Sequence, residues 1–168
     1  MGFTADTKVL SLHGYKPLSE IKVGDLLRTP LGTTRVVGYR VDLKEETFYV
    51  TPGFGIVKWK TVLKKDLSWG LVAPQGVKDY YMQFGIVDER WRADPTSEDL
   101  FYFSEPNVVY SESLENKENV VIETENKVIV TDKCVTGAIM AAATIEELPL
   151  ISKEQLETFY NANSKFIM

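Results

Sequence analysis

Few side chains in this sequence can carry covalent or proton-transfer chemistry. It holds one cysteine, Cys134 in TDKCVTG, and one histidine, His13 in SLHGYK. A cysteine attacks as the thiolate, which needs a nearby base or a positive environment. Lys133 is thin support and no histidine is close in sequence, so a buried structural thiol is expected at Cys134. His13 precedes Gly14 at a turn signal, which favours an exposed ring over a general base. One cysteine also excludes a disulfide framework and a cysteine-based zinc site. Asp25, Asp132 and the group Glu112, Glu115, Glu118 could face a divalent cation. Their spacing fits no loop of fixed ligand geometry, and a solvated acidic face is expected instead. The stretch PGFG at residues 52–55 follows a strand and precedes no helix, so it is no phosphate cradle. Neither a metal nor another cofactor is expected.

The charge balance narrows the partners. The net charge is −5 at pH 7, and phosphate-backbone binding favours a basic surface. The pairs Lys58/Lys60, Lys64/Lys65 and Arg90/Arg92 could form a local basic patch. Lysines on strand edges also guard against unwanted strand pairing, and that is the preferred reading. Tyr80, Tyr81, Phe84, Phe101, Tyr102 and Phe103 could stack on bases. Their consecutive positions suit the two faces of buried strands better. No apolar run reaches the roughly 18 residues of a membrane span. The first residues lack a basic-then-apolar leader, and Asp6 stands where a myristoylation motif wants Ser or Thr. A cytoplasmic location, or one inside a virion or host cell, is expected.

Strands must position these groups. TKVLSL alternates polar and apolar residues before the turn HGYK. SEIKVGDLLRT reads as a second strand interrupted at Gly24-Asp25. PLGT then reverses the chain into TTRVVGYRVDL. ETFYVT and GIVKWKTVL follow, then WGLVAP, VKDYYMQFGIV, LFYFSE and NVVYSESL, with the charged stretch at 88–99 as a loop. VVIETENKVIVTD reads as a hairpin over TEN. Many short strands with frequent turns predict a compact all-β domain. Composition then shifts. GAIMAAAT favours helix. SKEQLETFYNAN opens with a capping box, Ser152 and Gln155, and places Leu156, Phe159 and Tyr160 on one helical face. The expected division is a β-domain over residues 2–136 and a helical appendage over 137–168.

The order T-x-V-L…G-x-x-P-L-x-x-I-x-V-G-D-x-L-x-T-x-x-G from Thr7 to Gly32 resembles the first block of Hint domains, the Hedgehog-type and intein modules that rearrange their own peptide bonds. VTPGFGIVKW is similar to the next block, with Thr51 at the threonine of a Thr-x-x-His element and Phe54 at its histidine. ENKVIVTDKCVTG is similar to the closing hairpin, with Thr136-Gly137 where His-Asn would fall. The resemblance implies an all-β Hint-like fold with one or two C-terminal helices. It also implies what is missing. A Cys or Ser side chain at the Gly2 position would attack the preceding carbonyl, and glycine has none. The Phe54 ring cannot transfer a proton to a scissile amide. Gly137 cannot cyclise as the family's terminal asparagine does.

NANS at 161–164 offers Asn163 before Ser164, with Ala162 in the histidine slot. A helix C-terminus is the preferred reading there, because asparagine tolerates the left-handed conformation. The expected function is therefore a degenerate, splicing-inactive Hint-like domain serving as a structural or interaction module, possible settings being a viral or phage protein. Its expected partner is a protein or its own host polypeptide. The alternatives are a splicing or autocleaving domain inactivated by engineering at Gly2, and a weak nucleic-acid-binding β-module.

Overall fold

The computed structural model describes residues 3–42, 47–51, 54–57, 60–63, 67–72, 84–86, 102–104, 119–132, 135–140 and 145–167. Gly2, Lys58, Lys64, Lys65, Tyr80, Tyr81, Arg90, Arg92, Phe101, Glu112, Glu115, Glu118, Lys133 and Cys134, with the loop at 88–99, lie outside them.

In chain order the strands are β1 (Phe3–Thr4), β2 (Lys8–Ser11), β3 (Gly14–Pro17), β4 (Leu26–Thr29), β5 (Gly32–Asp42), β6 (Thr47–Thr51), β7 (Phe54–Val57), β8 (Lys60–Leu63), β9 (Trp69–Val72), β10 (Phe84–Ile86), β11 (Tyr102–Ser104), β12 (Asn119–Thr124), β13 (Val128–Val130) and β14 (Val135–Gly137). Among the described residues one α-helix, α1 (Lys153–Ile167), follows. The described strands form an eight-stranded sheet ordered β3-β2-β4-β5-β12-β1-β7-β6, a four-stranded sheet ordered β13-β14-β8-β9, and the pair β10-β11. This is the predicted all-β architecture with a helical C-terminus.

Two hairpins are built by the same device. Ser11 Oγ accepts the N–H of His13 (3.2 Å) and donates to the carbonyl of Gly14 (2.6 Å). Thr29 Oγ1 likewise accepts the N–H of Leu31 (3.2 Å) and donates to the carbonyl of Gly32 (2.6 Å). Each hydroxyl substitutes for turn hydrogen bonds, as Ser and Thr do beside reversals. Gly14 and Gly32 close these loops at φ of +113° and +102°, a region costly for residues with a Cβ. The registers Ser11↔Gly14 and Thr29↔Gly32 leave two-residue loops, with Pro30-Leu31 as the second.

Two apolar clusters fill the interior. Phe3, Val9, Leu27, Val36, Ile122 and Ile129 belong to the first. Leu10, Trp69, Val130, Val135, Leu156 and Phe159 belong to the second. Adjacent residues of a strand point to opposite faces. Val9 and Leu10 on β2 therefore feed different clusters, as do Ile129 and Val130 on β13. Strands buried on both faces explain the near-continuous apolar runs here. The segment after β14 also reaches the interior: Ala138 lies in the first cluster, and Leu148 and Ile151 in the second.

Three sequence expectations change. SEIK is not strand: Leu18–Glu20 form a 3₁₀ turn, and only Leu26–Thr29 pairs. The Asp25 carboxylate accepts the Lys22 N–H (2.9 Å), and Gly24 N–H donates to the Val36 carbonyl (2.8 Å). These bonds satisfy the local backbone without a ladder. VVIET and KVIV flank a turn but do not pair as a hairpin, because β12 joins β5 and β1 while β13 joins β14. GAIM is not helical: Gly137 ends β14, and the Ala138 N–H donates to the Lys127 carbonyl (2.8 Å). The rest of GAIMAAAT, residues 141–144, lies outside the described residues. The capping box of α1 forms as predicted, with Gln155 N–H to Ser152 Oγ at 3.1 Å and Ser152 N–H to Gln155 Oε1 at 2.8 Å.

Thr29 Oγ1 also accepts from Asn126 Nδ2 at 2.8 Å, so it ties the β4–β5 turn to the 124–128 turn. Thr29→Val leaves the partners of a buried hydroxyl unsatisfied and should lower the unfolding free energy by about 2–3 kcal/mol. Thr29→Ser should recover most of that. Urea unfolding of the three proteins checks it.

Candidate functional site

The first element of the candidate site is β1. Phe3 pairs with Val120 on one side and with Ile56 on the other. It is fully buried, so the strand that follows Gly2 is clamped between β12 and β7. Behind it, Thr4 and Thr7 share a hydroxyl–hydroxyl hydrogen bond (3.0 Å), and the Thr7 N–H donates to the Thr4 carbonyl (3.0 Å). The neighbouring 3₁₀ turn is tied back by Ser19 N–H to the Ala5 carbonyl (3.0 Å) and by Tyr39 Oη to the Leu18 carbonyl (3.0 Å).

The second element is the β6–β7 hairpin, where Thr51 and Phe54 are partners across the closing rung. These two predicted positions therefore stand together, on the strand pair that neighbours β1. The third element is β14. Thr136 pairs with Ile129 and with Val62 of β8, and Gly137 pairs with Val128. Thr136-Gly137 thus lie in the four-stranded sheet, joined to the Phe54 strand through the chain segment between β7 and β8. Gly2 itself is outside the described residues, as is its contact with the other positions.

The polar groups at β14 are buried. Gly137 N–H donates to Thr61 Oγ1 at 3.2 Å. Thr136 is fully buried, and its Oγ1 has no hydrogen-bond partner among the described residues. Such a group carries an uncompensated desolvation penalty. The sole histidine, His13, is exposed in the β2–β3 turn. Asp25 is occupied by the Lys22 N–H and lies 3.9 Å from Lys16 Nζ. The Asp132 N–H donates to the Lys8 carbonyl (3.2 Å), beside the bridge between Val9 and Thr131.

Asn163 requires a correction. It is not a helix C-terminus but stands inside α1, which runs to Ile167. It is 4% exposed, and its Nδ2 donates to the Phe159 carbonyl at 2.8 Å. That amide nitrogen is therefore turned back along the helix rather than towards its own carbonyl. The sequence reading also missed a cleft of about 330 Å3 between the β4–β5 turn and α1, lined by Arg28, Thr33, Glu154, Gln155 and Thr158 among others. Arg28 is held there by two bonds from Nε and Nη2 to the Leu12 carbonyl (3.2 and 2.8 Å) and lies over the Phe166 ring (4.9 Å). No sequence signal announces a cleft made by residues about 120 positions apart.

Thr136→Val keeps the shape of the side chain and removes the orphaned hydroxyl. It should raise the unfolding free energy by about 1 kcal/mol. A loss of stability in thermal or urea unfolding would show that the hydroxyl has a partner.

No protein-family model matches the sequence, and no curated protein matches it. Solved structures do match by shape. The gp41-1 intein aligns at a TM-score of 0.58 and 17% identity, covering 81% of this chain and 97% of that one. The MchDnaB-1 intein aligns at 0.53 and 13%, covering 80% and 98%. A DnaB intein from Synechocystis sp. PCC 6803 aligns at 0.51 and 8%, covering 82% and 98%. With nearly the whole of each intein matched, this chain has an intein-like, Hint-like fold.

Proposed function

We propose that this chain is an intein-like Hint domain without self-processing chemistry, acting as a structural or interaction module on a protein partner or on its own host polypeptide. The observation that carries the reading is the pairing of Phe3 with Ile56 and of Thr51 with Phe54. It puts the Phe54 strand beside the strand that starts at Phe3, the residue after Gly2 in sequence. Gly2 has no side-chain nucleophile. Phe54 has no group to donate or accept a proton. Gly137 has no amide to attack its own carbonyl carbon and release the amine of the next residue. The burial of Phe3 and of the β14 residues supports retention of the fold without the reaction, since packing and site chemistry are separable.

The test is a fusion of the full chain between two folded reporter proteins, incubated with and without thiol or hydroxylamine and read by intact mass. The precursor should remain whole under every condition. A ligated reporter pair, or a cleaved reporter from the unaltered chain, would overturn the reading. Gly2→Cys with Phe54→His in the same fusion asks separately whether the scaffold still supports the first step, with thiol-dependent release of the upstream reporter as its signature.

A further inference from the structure

Gly137 is not held to glycine by its backbone, because its φ lies outside the left-handed region. It is held by space. A Cβ at this position would overlap Thr61 Oγ1 and stand 3.0 and 3.2 Å from the two terminal carbons of Leu148. Neither neighbour is free to give way. Thr61 Oγ1 accepts the Gly137 N–H, so rotating it aside would strand a buried donor. Leu148 is buried, and its successor Pro149 accepts a hydrogen bond from Trp69 Nε1 at 2.7 Å. Ile151, three residues on, is buried in the same cluster.

We propose that Thr61 and Leu148 form a steric lock on residue 137, so that this strand end cannot carry an asparagine side chain even when one is encoded. The proposal rests on reading Gly137 as the position of the family's cyclising asparagine. It goes beyond that reading. Downstream cleavage is blocked by neighbouring residues as well as by the residue itself, and a single reversion at 137 meets a packing barrier before it meets any chemistry. Thr61 and Leu148 thereby become the specificity-determining residues of this end of the fold: they decide which side chains residue 137 accepts.

A stability cycle tests the lock without using cleavage as its readout. Gly137→Asn and Gly137→Ala are each made in the unaltered chain and in a Thr61→Ala/Leu148→Ala background, and their thermal midpoints are compared within each background. In the unaltered chain both should lower the midpoint, by roughly 5 °C or more for the bulkier residue, because inserting atoms into a packed interior is destabilising. In the relieved background the drop should shrink to less than half. Gly137→Ala adds one carbon and keeps the cycle measurable where Gly137→Asn does not fold. Equal drops in both backgrounds would overturn the lock. That outcome is separate from cleavage of the reporter fusion, which bears on the loss of chemistry and leaves the packing result standing.

Discussion

The structure hangs on β5. This strand, Gly32–Asp42, must pair with β4 along its first residues and with β12 along its last. It can do both because the ladder slips once: Thr124 faces Val36 and Glu123 faces Gly38, which leaves Val37 as an extra residue. A bulge of this kind sharpens the twist and redirects the strand. It explains why Val37 is exposed between buried Val36 and the half-buried Gly38 and Tyr39. Gly38 then serves packing. The space a Cβ would fill there is taken by the Met140 side chain, which covers the sheet beside Glu123. Through this strand the hairpins at the start of the chain and β12, more than 80 residues later, become one sheet, and β1 and β7 are hung from its far side.

What was legible in the sequence was local. HGYK and PLGT announce their turns through glycine and proline, and both reversals form, each closed by a preceding hydroxyl, Ser11 or Thr29. The Ser152/Gln155 box announces α1 and forms. What misled were places where a local pattern is overruled by distant partners. The alternation of VVIET and KVIV is real, but a hairpin is only one way to use it. β13 is taken by β14, leaving β12 to β5 and β1. GAIMAAAT looks helical by propensity, yet Gly137 is drawn into β14 and Ala138 into the first cluster, where small residues fit. Propensities worth tenths of a kcal/mol per residue give way to such burial.

The candidate site shows the same division. Thr51 and Phe54 were named from the resemblance of VTPGFGIVKW to a family block, and the hairpin sets them opposite one another. Neither the orphaned hydroxyl of Thr136 nor the crowding of Gly137 could be read from the chain, since both depend on β8 and on Leu148, brought in from 76 residues upstream and 11 downstream of residue 137. Asn163 is the reverse case. Its sequence context suggested a junction or a helix end, and only burial inside α1 and the bond to Phe159 remove both readings.

Gly2 and Gly137 differ in what holds each position to glycine. Gly2 has no side-chain nucleophile, and in sequence it precedes the clamped strand β1. Gly137 is a buried residue whose surroundings leave no room for a Cβ. A small residue invites neighbours into the volume a side chain would fill, because voids are unfavourable. Once Thr61 and Leu148 occupy that volume, and the Gly137 N–H depends on the threonine for its hydrogen bond, stability itself selects for glycine. Buried polar orphans are tolerated on the same terms. Among the described residues Thr136 Oγ1 has no hydrogen-bond partner, a penalty of order 1–3 kcal/mol that the apolar clusters offset.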